Sequence, residues 1–333
     1  MKASIILVLM LLVSRMGLAA TLRVPSQFSD IQLAIDASSD GDTILVSPGT
    51  YSYEIGLNII GKSVHVMSAK GPTVTSIENH GQIPSPWESG SYAFNIESVP
   101  GPCTISGFTM AGHFPGDMSM NDFTIMVTNS NVRIVGNIFI NNQQMNVIAI
   151  RGLSEAVIEY NVFSTNRATS INIGDGTSAT IQKNTLSGNV WYEQILMTGN
   201  NCHPVIRNNI IVNAKRSCPQ PSQYCYAHGV QASCPPGNIV FECNDVWNNE
   251  DANYAGTLPD QTGMNGNISV DPLFCGAAGS DNFYLQSSSP CAEQNVPSIC
   301  SGERMGCCPT KCTVGVETQS WGSIKSLLDN KKK

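Results

Sequence analysis

A short phrase recurs five times between residues 132 and 249 and constrains the fold more than any other feature. The copies begin at Val132, Ala156, Ala179, Pro204 and Ile239, so their starts lie 24, 23, 25 and 35 residues apart. Each copy has apolar residues at its third and eighth positions and an asparagine at its sixth. β-rich repeats of this period form stacked rungs, and each rung buries its apolar face against the next. The sequence therefore predicts a solenoid with at least two strands per rung.

Two sets of residues are expected to stack along this solenoid. The third positions are Ile134, Ile158, Ile181, Ile206 and Phe241, and the sixth positions are Asn137, Asn161, Asn184, Asn209 and Asn244. A second asparagine closes four copies, whereas Ala214 closes the fourth. Asparagine tolerates left-handed backbone at sharp corners, and stacked amides hydrogen-bond to one another. We therefore interpret these asparagines as structural residues at the corners rather than as ligands.

An alternating run precedes each copy by about eight to eleven residues. Alternation points Ile148 and Ile150 towards the interior and leaves Arg151 outside, and it places Asn172 outside on the next rung. Glu193, Gln194 and His228 are expected to follow on later rungs. The outer face of these strands is where binding or chemistry is expected.

The first twenty residues are typical of a secretory signal peptide, with Lys2, an apolar run over residues 5–13 and small residues before Thr21. That run is too short to cross a bilayer. Removing Lys2 and Arg15 takes the net charge from −7 to −9, because both lost charges are positive. Such a charge argues against nucleic acid and anionic membrane surfaces. We expect a secreted protein, extracellular or at the cell surface, without a membrane span and monomeric.

Twelve cysteines in an exported chain indicate an oxidising compartment and several disulfides. We expect local pairing: Cys218 with Cys225, Cys275 with Cys291, and Cys300, Cys307, Cys308 and Cys312 among themselves. The chain has no C-x-x-C pair and its five histidines are scattered. No metal site is therefore predicted.

An amphipathic helix is expected near the start of the chain, over residues 29–37. Ser29 or Asp30 can cap it, and Ile31, Ala34 and Ile35 form its apolar stripe. A stack of rungs leaves an apolar end with unpaired strand edges, which a helix can cover. We interpret this helix as the N-terminal cap. Helical spacing of apolar residues also predicts a C-terminal helix and lysine tail over residues 313–333.

The run DIQLAIDASSDGDTILVSPGTY, which begins at Asp30, resembles the opening of secreted right-handed parallel β-helix proteins of the pectin-lyase-like group. The stretch over residues 244–275 resembles the last rungs of bacterial members of that group. Together with the repeats, the resemblance covers residues 24–312. It implies an all-β fold, a single-stranded right-handed parallel β-helix over residues 21–312. This architecture hosts lyases, hydrolases, esterases and binding proteins, so the resemblance predicts no single activity.

This sequence lacks the catalytic motifs of the hydrolases and esterases in this group. The stretch GTYSYE at residues 49–54 comes close to a motif of pectin methylesterases, but their other catalytic strings and the paired aspartates of polygalacturonases are missing. A polysaccharide lyase needs a base beside a uronate and a cation that stabilises the enolate-like charge. Arg151, Lys183 and His228 are the catalytic candidates for that reaction. No cofactor is predicted, and calcium would be required only by a lyase.

Binding requires only exposed aromatic rings and polar side chains. The candidates for binding are Trp87, Tyr92, Asn172, Tyr192, Glu193, Tyr224 and Tyr226. The sequence therefore favours an extracellular or cell-surface module that binds a glycan or other surface ligand, or that is structural. The alternative is a lyase that acts on a uronate-containing glycan.

Overall fold

The computed structural model of this 333-residue chain describes residues 19–54, 56–79, 92–112, 123–217, 225–276 and 282–312. The expected C-terminal helix, all but the last two residues of the expected signal peptide, Trp87 and Tyr224 lie outside the described residues. These expectations therefore stay predictions.

Within these ranges the chain has one α-helix, α1 (Ile31–Ala37), and 25 β-strands. The strands in chain order are β1 (Thr21–Val24), β2 (Thr43–Val46), β3 (Gly49–Tyr53), β4 (Leu57–Ile60), β5 (His65–Ser68), β6 (Thr75–Asn79), β7 (Phe94–Glu97), β8 (Pro102–Ser106), β9 (Thr109–Ala111), β10 (Phe123–Thr128), β11 (Asn131–Val135), β12 (Ile138–Ile140), β13 (Gln143–Arg151), β14 (Glu155–Glu159), β15 (Val162–Ser164), β16 (Arg167–Ile173), β17 (Ser178–Gln182), β18 (Thr185–Ser187), β19 (Ile195–Met197), β20 (Val205–Arg207), β21 (Ile210–Val212), β22 (His228–Ala232), β23 (Val240–Glu242), β24 (Asp245–Trp247) and β25 (Ala252–Gly256).

The strands form three parallel sheets, so each regular rung has three strands rather than the minimum of two. Sheet A has nine strands, in the order β1-β2-β5-β8-β11-β14-β17-β20-β23. Sheet B runs β3-β6-β9-β12-β15-β18-β21-β24, and sheet C runs β4-β7-β10-β13-β16-β19-β22-β25. The chain passes from sheet C to sheet A to sheet B and then begins the next rung. This confirms the predicted solenoid.

The third positions of the repeat stack as one interior column in sheet A. Ile134 pairs with Ile158, and the column continues through Ile181 and Ile206 to Phe241. The four isoleucines are fully buried. Burying such a side chain contributes about 1.5–3 kcal/mol, so each residue of the column stabilises the contact between two rungs. The predicted register is therefore confirmed.

The sixth-position asparagines form a hydrogen-bonded ladder at the corner between sheets A and B. Both nitrogens of Asn161 donate to Oδ1 of Asn184 at 3.0 Å, and Asn184 makes the same contacts with Asn209. The ladder extends past the fifth copy, because Asn244 bonds to Asn267 in the same way. Each rung therefore satisfies a buried amide of its neighbour.

The left-handed residue at this corner is the one before each ladder asparagine. These residues are Gly136, Tyr160, Lys183, Asn208 and Cys243, with φ between 54° and 63°. The expectation that the ladder asparagines themselves adopt left-handed backbone is therefore wrong. Their side-chain amides form the ladder, and the residue before each of them adopts the left-handed conformation that turns the chain at the corner.

The closing asparagines form a second ladder, between sheets B and C, which is interrupted at Ala214. Gln194 fills the gap from sheet C: its Oε1 accepts from Asn189 at 2.8 Å, and its Nε2 donates to Asn249 at 3.0 Å and to the Val212 carbonyl at 2.7 Å. Gln194 is fully buried. The expectation that Gln194 lies on the outer face is wrong, because the chain bends inwards at the start of β19.

Helix α1 begins as predicted after the cap residue Asp30, whose side chain accepts from the Leu33 amide at 2.9 Å. Ile31, Ala34 and Ile35 are buried against the first strands. The apolar stripe is thus the side of the helix that packs on the stack. A cap helix at this position is confirmed.

Residues 271–276 and 282–312, here called the C-terminal segment, fold back onto sheet B. They bury Leu285, Cys291 and Met305 against Ile210 and Val212. Disulfides join Cys243 to Cys300, Cys275 to Cys312 and Cys202 to Cys234.

The expected pairing of Cys275 with Cys291 is therefore wrong, and so is the closed cluster of Cys300, Cys307, Cys308 and Cys312. The segment returns to strands that are distant in sequence, so local spacing does not predict its partners. Cys291, Cys307 and Cys308 are free thiols. Cys225 is disulfide-bonded, and its expected partner Cys218 lies outside the described residues.

Candidate functional site

Four polar residues line up across successive rungs of sheet C and are here called the polar column: Asn146, Thr169, Glu193 and His228. Asn146 pairs directly with Thr169, and the registers of the next two strands place Glu193 and His228 at the same level. The Thr169 hydroxyl donates to Oε2 of Glu193 at 3.5 Å. Asn146, Thr169 and Glu193 are buried, whereas His228 is partly exposed. The column therefore forms a polar floor that opens to solvent at His228.

An aromatic pair marks the open end of the column. The Tyr226 and His228 rings stack with centroids 5.6 Å apart and planes 16° apart, and Tyr226 is exposed. Nδ1 of His228 is buried without a hydrogen-bond partner and lies 3.9 Å from Oε1 of Glu193. That distance is too long for a hydrogen bond. A buried polar atom without a partner is uncommon in folded proteins, and this one faces the Glu193 carboxylate.

A second lane of amides borders the column. Nδ2 of Asn172 donates to Oδ1 of Asn146 at 3.0 Å, and the Thr198 hydroxyl lies 3.4 Å from Oδ1 of Asn172. Asn172 is half-buried and lies between the inward-pointing Ile171 and Ile173. Side chains on three consecutive rungs are thus connected along the outer surface.

The phenol of Tyr192 interacts both with the Glu193 carboxylate and with the cation of Arg167. The guanidinium of Arg167 lies over the Trp191 ring. Burial raises the pKa of Tyr192, the Glu193 carboxylate raises it further, and the charge of Arg167 opposes the shift. Burial in turn lowers the pKa of Arg167. Tyr192 therefore stays protonated at neutral pH and can donate a hydrogen bond.

The three catalytic candidates do not converge. Arg151 is exposed on β13, with its guanidinium 5.0 Å from the centroid of the Phe123 ring. It lies three rungs from His228 and five residues farther along the strand direction. At ~4.8 Å per rung and ~3.3 Å per residue, their Cα atoms are about 20 Å apart.

Lys183 lies at the corner between sheets A and B, away from sheet C. Its ammonium forms an ion pair with Glu303 of the C-terminal segment, and this contact lowers the pKa of Glu303. Lys183 therefore links the stack to the C-terminal segment. Tyr92 lies at the other end of sheet C, where its hydroxyl donates to Asn58 at 2.9 Å.

The structure thus brings Asn172, Glu193, His228, Tyr192 and Tyr226 to one region of sheet C. Sequence reasoning did not select Asn146, Thr169 or Arg167, which lie in the same region. All three come just before the regular alternation of β13 and β16, where the period-two pattern does not assign a face. Their signal in the sequence is a position one to four residues after the closing asparagines Asn142 and Asn166.

The family model described as "Right handed beta helix region" matches residues 95–268, which is more than half of the chain. The chain belongs to this family. Its three parallel sheets therefore form a right-handed β-helix, as the sequence resemblance implied. No curated protein matches the chain.

Two solved structures resemble this β-helix at low identity. The alginate lyase AlyGC of the PL6 family is 12% identical, with a TM-score of 0.32 over 90% of this chain and 60% of that one. A variant of that lyase with one arginine changed to alanine is 10% identical, with a TM-score of 0.25 over 90% of this chain and 59% of that one. The chain thus spans about 60% of the length of the lyase structures.

Two features of the described ranges bear on possible sites. No helix in them is both long and apolar enough to cross a membrane. They also contain no group of three or more histidine, cysteine or acidic side chains placed to hold a metal ion.

Proposed function

We propose that this β-helix is a secreted, non-catalytic module that binds a glycan along the outer face of sheet C. The observation that carries the proposal is the polar column, which ends at the stacked Tyr226 and His228 rings. Hydroxyl and amide groups at a regular spacing suit a polymer with repeated hydroxyls, and an exposed ring suits the apolar face of a sugar. The disulfides and the signal-like leader support an oxidising, extracellular location.

A uronate lyase is the alternative, and one feature favours it. His228 and Tyr192 flank Glu193, and Arg167 lies close enough to influence Tyr192. A base and a charge stabiliser must both reach one substrate carbon. On this surface His228 would be the base and Arg167 the cation, and Arg151 is too distant from His228 to take part with it.

Retention on immobilised glycans tests the binding proposal. The Tyr226→Ala variant should weaken retention about tenfold, which corresponds to ~1.4 kcal/mol of lost stacking. Leu153→Ala is the matched control, because Leu153 is exposed and lies in the turn after β13, away from the column. Equal retention of the parent and both variants would remove sheet C as the binding face.

Ultraviolet absorbance of unsaturated uronate products tests the alternative on the same preparations. With alginate, pectate and chondroitin in the presence of calcium, we expect no increase over time. A steady increase that disappears in His228→Ala would replace binding by lyase activity.

A further inference from the structure

A cleft separates the outer face of sheet B from the C-terminal segment. Its volume is about 570 Å³, which lies within the range of small-molecule sites. Strands β15, β18 and β24 and the corners that follow β15, β18, β21 and β24 form its floor, and residues of the C-terminal segment form its wall. It shares no lining residue with the polar column.

Three aromatic side chains line this cleft: Trp247 from β24, and Phe274 and Phe283 from the wall. The two phenylalanine rings pack edge to face, with centroids 5.2 Å apart and planes 81° apart. Trp247 and Phe274 are partly exposed. Exposed rings in a concave site suit a ligand that has an apolar face.

An amide pair at the corner after β21 and β24 adds polar specificity. Nδ2 of Asn248 donates to Oδ1 of Asn213 at 2.7 Å. This leaves one amide nitrogen on Asn213 and one carbonyl oxygen on Asn248 for a ligand. An adjacent donor and acceptor match two neighbouring hydroxyl groups, each of which can donate and accept.

The charges in the cleft cancel. Lys215 and Asp271 both line it, and both are exposed. The whole chain carries a net charge of −7. An anionic polymer would meet this negative charge without a surplus of cations in the cleft. A neutral ligand meets no such repulsion.

We propose that this cleft is a second binding site and that its ligand is a short neutral oligosaccharide of one to three pyranose rings. The aromatic side chains stack on the apolar face of a ring, and the Asn213 and Asn248 pair hydrogen-bonds to its hydroxyl groups. The site is built by docking of the C-terminal segment, so it exists only when that segment is in place. It is independent of the proposed glycan face on sheet C.

Calorimetric titration of the full chain with maltotriose, cellotriose and tri-N-acetylchitotriose tests the proposal. At least one trisaccharide should bind to the parent protein. Asn248→Gly should weaken that binding at least tenfold, because it removes the amide while glycine keeps the left-handed backbone at φ 55°. Trp247→Leu should weaken it further, because it removes the ring but retains apolar packing. Leu153→Ala should bind like the parent.

The two proposals fail in different ways. Asn248→Gly should retain the parent's affinity for the polymer that binds sheet C, because Asn248 lies outside the polar column. Absence of trisaccharide binding by the parent, or unchanged binding by Asn248→Gly, would overturn the cleft site and leave the sheet C proposal intact. If Trp247→Leu does not fold, the result with Asn248→Gly decides.

Discussion

The residue before the closing position of each copy carries a strong backbone constraint. At the corner between sheets B and C these residues are Asn141, Thr165, Gly188, Asn213 and Asn248, with φ between 53° and 67°. Left-handed backbone costs an ordinary L-residue about 1–2 kcal/mol, whereas glycine and asparagine adopt it readily. Thr165 is the exception among the five, because it is β-branched.

Replacement of Thr165 by asparagine should therefore stabilise the protein. We expect the free energy of unfolding of Thr165→Asn to rise by about 1 kcal/mol, because the left-handed conformation at φ 53° becomes less strained. Urea unfolding of the two proteins measures the difference. Thr180→Asn is the control, because Thr180 pairs within sheet A and lies in ordinary strand. An equal gain at Thr180 would mean that relief of left-handed strain is not the cause.

At the scale of the element, the second ladder shows how one side chain replaces another from a different sheet. Gln194 on sheet C occupies the place that the repeat assigns to the residue at 214. Ala214 itself contributes its backbone: its N–H donates to Oδ1 of Asn249 at 3.0 Å, and its carbonyl accepts from the Glu250 amide at 3.1 Å. The two positions should therefore be exchangeable.

A pair of substitutions tests this exchange. Gln194→Ala should cost about 2–4 kcal/mol, because it removes three hydrogen bonds that Gln194 makes to buried groups of Asn189, Val212 and Asn249. Adding Ala214→Asn should restore much of that loss, because its amide continues the ladder into the vacated space. Thermal unfolding of the single and double variants measures the coupling. Additive losses would show that the side chain at 214 does not reach the ladder.

Docking of the C-terminal segment buries an acid on β24. Asp245 accepts from the Val270 amide at 3.1 Å, and Sγ of Cys291 lies 3.3 Å from its other oxygen. Burial raises the pKa of Asp245 to about 7, with a smaller contribution from Asp271. The folded state therefore holds a proton between pH ~4 and ~7 that the unfolded chain has lost.

This difference in proton binding between the folded and unfolded states predicts how the free energy of unfolding changes with pH. The contribution of Asp245 to stability is complete below pH ~4 and is lost as the pH rises through about 7. Asp245→Asn should therefore gain stability relative to the parent between pH 5 and pH 8, by up to a few kcal/mol. Urea unfolding at pH 5 and at pH 8 measures the difference in stability between parent and variant. Glu155→Gln is the control, because Glu155 is exposed. A gap between parent and variant that does not change with pH would contradict the shifted pKa.

The sequence predicts the residues that recur with a fixed period. It does not predict the contacts of the C-terminal segment, which folds back onto strands that are distant in the chain. Ile181 and Asn184 were assigned correctly, because every rung supplies the same residue at the same spacing. The partner of Cys300 was not, because Cys243 lies on the stack and the C-terminal segment closes onto it. Glu193 could be assigned to an outer face from its run, but the burial of its carboxylate depends on the packing of side chains around it.

At the scale of the whole molecule, the Cys243–Cys300 disulfide joins the C-terminal segment to the stack. Loss of the Cys243–Cys300 bond, which spans 57 residues, should cost roughly 4 kcal/mol by the chain-entropy estimate. The Cys243→Ser, Cys300→Ser double variant should also lose binding in the sheet B cleft, because Phe274 and Phe283 form its wall. Limited proteolysis should cut this variant first within residues 271–312.

Removal of the Cys202–Cys234 bond provides the comparison. It spans 32 residues within the stack, so its loss should lower the unfolding temperature by a similar amount. Proteolysis of that variant should spare the C-terminal segment. Identical cleavage patterns in the two variants would show that the Cys243–Cys300 bond does not hold the segment.

The chemistry of the asparagine ladder between sheets A and B does not fix the number of rungs. Asn161 meets Asn184 as Asn137 meets Asn161, so the seam between any two of these rungs has the same chemistry. One 23-residue unit could be added or deleted here without leaving an amide unmatched at the join. The length of such a β-helix along its axis can therefore change in steps of about 4.8 Å, one rung at a time.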